Sequence, residues 1–267
     1  MDENPAWSLE LSQEELYLLA GFLETPSLIG MDDPFLGKLA DEVSSELEQV
    51  RKELIARGLL AVEPDGSLSL DPAVCLLVNT ITKTRHVLMA VRRSGYEDQD
   101  LRLLHVADNL VVEQRTLRDR RVMLSALRDQ AHLAQHLKTL FRVETDAQAL
   151  GPVWDIPEAR LTEALRLSHD KGPRAGEAYL QDAGVPAVAM LPLVSALDEG
   201  RGVCSLIQAC RDPQQIHYGE RIAWLTSSRG AWKIEPLPEH APPLVRMIPV
   251  TGTAIEQRMA EIIAMRS

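Results

Sequence analysis

The sequence repeats itself, and that repeat limits the folds open to it more than any single motif does. Leu77, Val78 and Ile81 fall on Leu193, Val194 and Leu197, each 116 positions further along. At the same offset of 116, Val87, Ala90 and Val91 fall on Val203, Leu206 and Ile207. Arg102 and Leu103 match Arg221 and Ile222 at 119, and Val122–Leu127 matches Val245–Val250 at 123. Earlier, Leu54-Ile55-Ala56-Arg57-Gly58 matches Leu180-Gln181-Asp182-Ala183-Gly184 at 126. The fall of ten (126 − 116) is the length of a hairpin wing around Asp65-Gly66 that the second half lacks. Each half supplies three or four strands with one apolar face and an open edge. Two such halves about a pseudo-two-fold axis can pair edges into one sheet and pack helices around it. The expected fold is therefore α+β and internally duplicated, a mostly antiparallel central sheet flanked by helical bundles. The halves run over 1–143 and 156–267, with 144–155 as linker.

Hydrophobic periodicity places the elements. Leu11 to Leu23 reads as a helix, with Ser12 as N-cap, Glu15 completing a capping box, and Leu16, Leu19 and Phe22 on the buried face. Leu36 to Arg57 reads as a second helix, ended by Gly58. Two alternating runs then flank Asp65-Gly66, a strong hairpin signal, so the start of the chain is winged-helix-like. Pro72 opens a helix to Ile81. Strands follow at Val87–Arg92, Leu101–Val106, Leu110–Leu117 and Val122–Leu127, then a helix over 129–141. In the second half, helices are expected at Ile156–Ser168, Arg174–Ala183 and Ala187–Leu197. Strands are expected at Val203–Ala209, Arg221–Thr226, Trp232–Pro236 and Leu244–Val250, with a closing helix at Thr253–Met265.

Composition excludes several function classes. The net charge is −11, so the surface as a whole repels a phosphate backbone. The one basic run, Arg115 to Arg121, reads as a solvated turn. No apolar run reaches the ~18 residues of a membrane span, and the acidic first residues do not form a signal peptide, so a cytoplasmic protein is expected. Cys75, Cys204 and Cys210 are odd in number and sit among apolar neighbours, as reduced core thiols do.

A search for chemistry finds no catalytic set. His132 and His136 are four apart on a helix, but the Glu of a zinc-protease motif and a third ligand are missing. There is no Gly-x-Ser-x-Gly, no phosphate-binding Gly-rich loop and no Gly-x-Gly-x-x-Gly. Neither cofactor nor metal is expected, and the chain does not read as an enzyme. Tyr96 stands out instead. It follows Gly95 at a loop tip beside Glu97 and Asp98, where a large aromatic has little to bury against, and exposed loop aromatics are enriched at interfaces.

The leading helix, the segment Glu53-Leu54-Ile55-Ala56-Arg57-Gly58-Leu59-Leu60 with its Asp-Gly wing, the strand–hairpin–strand–helix endings of both halves and the Ser228-Arg229-Gly230-Ala231-Trp232 turn resemble the EspG family, cytosolic chaperones of type VII (ESX) secretion. The resemblance implies a chaperone that holds a helical secretion substrate and keeps its apolar tip soluble for export. It implies contacts from the Ser94–Asp100 loop; within that loop the residues themselves make Tyr96 the expected aromatic anchor and Glu97 and Asp98 the charges that steer a basic partner. It also implies contacts from the helices between Ile156 and Leu197, where Arg174 and Tyr179 lie. The chain itself is expected to be a monomer or weak homodimer. The alternative is a winged-helix transcription regulator with a partner- or ligand-binding C-terminal half. Against it, the helix before the wing mixes Glu46, Glu48 and Glu53 with Arg51, Lys52 and Arg57, and acidic residues facing phosphates are unfavourable.

Overall fold

The computed structural model describes residues 7–24, 28–93, 99–117, 119–211 and 215–264. Among them lie eight helices and twelve strands, and the fold is α+β with a large antiparallel sheet. In chain order the first elements are β1 (Trp7–Leu11), α1 (Gln13–Phe22), α2 (Ala40–Ala56), β2 (Leu60–Val62), β3 (Leu68–Leu70) and α3 (Pro72–Lys83). Next come β4 (His86–Arg93), β5 (Gln99–Val106), β6 (Val111–Thr116), β7 (Val122–Leu127), α4 (Gln130–Phe141) and β8 (Trp154–Pro157). The remainder is α5 (Glu158–Lys171), α6 (Pro173–Asp182), α7 (Ala187–Asp198), β9 (Val203–Arg211), β10 (Ile216–Ser227), β11 (Gly230–Leu237), β12 (Leu244–Val250) and α8 (Gly252–Ala264). The chain divides into two compact units that interleave along the sequence. Unit 1 is Met1–Val87, Arg102–Leu133 and Cys210–His217, and unit 2 is Leu88–Leu101, Ala134–Ala209 and Tyr218–Ser267. The split into sequence halves at 144–155 is a different division and stays an expectation.

In unit 1 the strand order is β1-β7-β6-β5. Strand β1 runs antiparallel to β7, with Trp7 opposite Ala126 and Leu11 opposite Val122. The sequence reading missed β1 and began the helix at Leu11. Its five residues alternate, burying Leu9 and Leu11, but the strand exists only because β7 arrives to pair with it. The capping box is present: Ser12 Oγ accepts the Glu15 N–H at 3.0 Å, and Glu15 Oε2 accepts the Ser12 N–H at 2.8 Å. Helix α2 starts at Ala40 rather than Leu36, because residues 34–37 form a turn with Gly37 at φ +85°. It ends as expected. Gly58 takes φ +69°, which an L side chain adopts only at a cost, and Leu59 N–H closes back on Leu54 O at 2.9 Å. The Asp65-Gly66 turn joins β2 to β3 in a two-stranded sheet, Leu60 opposite Leu70. Leu16, Leu19, Leu54, Leu77, Ile81 and Leu124 are fully enclosed in this unit's core. In the basic turn, Arg121 pairs with both Asp119 and Glu10.

Unit 2 has the strand order β4-β9-β10-β11-β12-β8. Strand β8 was also missed. Its Trp154 and Ile156 are buried beside β12, Ile156 opposite Val245, so α5 begins at Glu158 and not at Ile156. Helices α5, α6 and α7 contact one another as a three-helix bundle. Their apolar faces share a core with Trp154, Leu225, Trp232 and Met247 from the strands. Helix α6 ends as α2 does: Gly184 has φ +75° and Val185 N–H returns to Leu180 O at 3.3 Å. Elsewhere in the unit Phe141 of α4 meets Trp224 of β10 edge-on, ring centroids 4.9 Å apart.

Candidate functional site

The strongest candidate is a groove of about 310 Å³ on the sheet of unit 2, walled by α5. Its floor follows from the period-two alternation of strands. On β4, Leu88 and Ala90 are buried on one face, while Met89 and Val91 line the groove on the other and are only half-buried. Val203 and Ile207 of β9 and Leu101, in the opening part of β5 that belongs to unit 2, continue this half-covered apolar floor. Ala223, Ile234 and Val245 complete it deeper down, where they are buried. The wall is set by helical spacing: Glu158, Leu161, Thr162 and Leu165 of α5 stand on one face, three or four residues apart. Exposed Arg93, Arg221 and Glu158 give the lining charges of both signs.

An apolar strand face that stays half-open to water is chemically suited to covering by a partner's apolar surface. The polar groups present, Ser205, Thr162 and Gln99, are few, and the three charged side chains are exposed. Cys204 is enclosed, its thiol 3.8 Å from Phe141 O, and burial pushes its pKa up to about 12. All three cysteines are unpaired. Among the described residues no three metal-binding side chains come together, and no helix is long and apolar enough to cross a membrane.

The site residues expected from sequence distribute as follows. Tyr96, Glu97 and Asp98 lie outside the described residues. Arg174 is exposed near the start of α6, and Tyr179 is half-buried against the core of the three-helix bundle. Neither lines the groove, whose helical wall is α5. Met89, Val91, Val203 and Ile207 were missed as site residues because an apolar strand residue in sequence looks the same whether its face is covered or open. A signal was available: β4 and β9 are apolar on both faces, as a strand is when something covers each side.

No protein-family model matches the sequence, and no curated protein matches it. Among solved structures, the chain is similar to the Mycobacterium tuberculosis type VII secretion system chaperone EspG5, determined in complex with a PE25–PPE41 dimer. The superposition covers 96% of this chain and 95% of that one, with a TM-score of 0.53 and 12% sequence identity. At that identity the likeness carries the fold: the chain has an EspG-like α+β architecture over nearly its whole length.

Proposed function

We propose that this chain is a cytosolic chaperone of the type VII secretion kind, which binds a helical substrate protein and shields its apolar surface before export. The observation that carries the reading is the half-covered apolar floor of the unit 2 groove, formed by Met89, Val91, Leu101, Val203 and Ile207. It is supported by the likeness to a chaperone solved with a bound protein dimer. On this reading the chain is a binding protein and not an enzyme. Tyr96, Glu97 and Asp98 fall in sequence between Arg93 and Gln99, both groove-lining residues, which suits the roles of anchor and steering charges. Arg174 and Tyr179 are proposed as further contacts from the bundle.

The internal duplication belongs to the same proposal. It is supported by the matching ends of α2 and α6 and by the places of β1 beside β7 and β8 beside β12, since β7 and β12 are the matched strands. The DNA-regulator alternative is not favoured: Arg51 and Lys52 on α2 both pair with Glu48 and are not a free basic face.

The test is co-expression with a helical secretion substrate encoded beside the gene, followed by affinity capture and titration. Wild type should retain the partner. Met89→Glu and Ile207→Glu, at half-buried positions, should each weaken binding about tenfold or more while the thermal melt moves little. Tyr96→Ala should cost about 1–3 kcal/mol of binding. Full retention by both groove variants would remove the groove from the interface.

A further inference from the structure

Unit 1 presents a second apolar surface, at the entry to α2. Leu36 is 83% exposed and Leu39 71%, the two most exposed large apolar side chains among the described residues. They do not sit on a loose tether. Their neighbour Phe35 is buried, meeting Tyr17 edge-on at 5.4 Å, and its N–H is held by Asp33 Oδ1 at 2.9 Å. Successive turns, Leu36 N–H to Asp33 O and Lys38 N–H to Phe35 O, fix the backbone that carries the leucines. Lys38 lies over the Phe35 ring and pairs with Glu46.

The choice of residue at 39 runs against local stability. Leu39 is the N-cap of α2, where Ser, Thr, Asp or Asn would satisfy a free helix N–H, and its side chain makes no capping bond. Only the reciprocal half of the box is filled, Glu42 Oε2 accepting the Leu39 N–H at 3.0 Å. A rule broken at an exposed position, with no packing gained there, is the signature of a surface kept for contact. The helix beyond it is only partly covered: α2 fully buries Val50 and Leu54 alone, and in its first ten residues the apolar Val43 and Leu47 are half-buried. Leu39, Val43 and Leu47 form an i, i+4, i+8 ridge on that stretch, half-buried at Val43 and Leu47 and open to water at Leu39. Acidic residues surround it. From Asp32 to Glu48 there are six carboxylates and one lysine, a net charge of −5 (1 − 6), with Glu46 paired to Lys38 and Glu48 to Arg51 and Lys52.

We propose that the Leu36–Leu39 knob and the first half of α2 dock a basic amphipathic helix of a second protein. The apolar ridge supplies a helix-packing surface, and the carboxylates beside it complement lysines or arginines flanking the partner's apolar stripe. A second copy of this chain is a poor occupant, because a two-fold contact would set this acidic surface against itself. The proposal concerns unit 1 alone and does not depend on the groove of unit 2 or on the chaperone reading.

The probe is a labelled amphipathic helical peptide of roughly 18 residues with a leucine face flanked by lysines, and a twin with glutamates in their place. Anisotropy titration should show the lysine peptide binding wild type, with affinity falling about tenfold or more in the Leu36→Ser/Leu39→Ser double variant and falling with added salt. The glutamate twin should not bind. Failure of the lysine peptide to bind, equal binding to wild type and double variant, or equal binding of the two peptides would each overturn the proposal. So would self-association of wild type that the double variant abolishes, since that assigns the surface to a second copy. Leu39→Ser alone serves as the structural control. It introduces a favoured capping hydroxyl, so its Tm should hold or rise, and a fall would show that Leu39 is a structural residue.

Discussion

His105 on β5 is fully buried in unit 1, and its neighbours fix its proton. Gln114 Nε2 donates to Ile29 O at 3.1 Å, which turns Gln114 Oε1 towards His105 Nε2 at 3.0 Å. Nε2 therefore carries the hydrogen, and Nδ1 is left as a buried acceptor with no partner. Protonating Nδ1 would create an enclosed cation, so burial lowers the pKa from 6.5 to about 4, with the charge of Arg211 adding to the effect and the Gln114 bond opposing it. In the unfolded chain His105 takes its proton near 6.5, so stability is full above that value and is lost as pH falls towards 4. The difference of 2.5 units (6.5 − 4) corresponds to about 3 kcal/mol. Urea midpoints measured between pH 7 and pH 4 should fall accordingly, and His105→Gln should flatten that part of the profile. Glu15 shows how far a residue's role reaches beyond its motif. The capping box was legible in sequence, but Glu15 also accepts two bonds from Arg57 Nη1, at 2.6 and 2.8 Å, and so ties α1 to the end of α2. Nothing local links positions 42 residues apart.

At the scale of elements, the contact between α5 and α6 rests on Gly176. A Cβ there would lie 2.7 Å from Ala164 O and 3.0 Å from Leu197 Cδ1, and the first of these is backbone that cannot rotate away. Gly176→Ala should therefore destabilise by about 1–3 kcal/mol, although alanine is the better helix former by about 1 kcal/mol. Gly21, in the last turn of α1, is the control. Nothing lies within 4 Å of a Cβ placed there, so Gly21→Ala should stabilise by about 0.5–1 kcal/mol. Chemical denaturation of the two variants against wild type checks both signs. If both substitutions stabilise, the close approach of α5 and α6 is not what holds the bundle. The two missed strands belong to this scale as well. Strands β1 and β8 have only five and four residues and no turn signal pairing them with a neighbour in sequence, and each gains its hydrogen bonds from a strand more than 80 residues away.

For the whole molecule, charge decides what it will not bind. With 39 acidic against 28 basic residues, association with duplex DNA would bring a net negative protein to a polyanion. No shift should appear in a mobility assay with duplex DNA near physiological salt at nanomolar protein. A sequence-specific, strongly salt-dependent shift would revive the winged-helix regulator and weaken the chaperone reading. The same acidity favours partners with basic surfaces, and its effect on their association rates should fade as salt is added.

The sequence by itself determined the elements whose causes are local. The Ser12–Glu15 box, the Gly58 and Gly184 helix ends, the Asp65-Gly66 hairpin and the span of β7 are set by residues within a few positions of one another, and they appear where the pattern places them. Short, nearly continuous apolar runs likewise marked β4 and β9 as strands. Only the tertiary structure decided which of their apolar faces is covered. Leu88 and Met89 are both apolar, yet one is buried and the other lines the groove, because helix α5 walls off only part of the sheet. A strand's pattern records that a face is apolar; it carries no information on how far a helix from elsewhere in the chain extends over it. The same holds at Leu36 and Leu39, where the pattern suggested the start of a helix. There the chain turns at Gly37 and leaves both leucines exposed, with no other described element covering them.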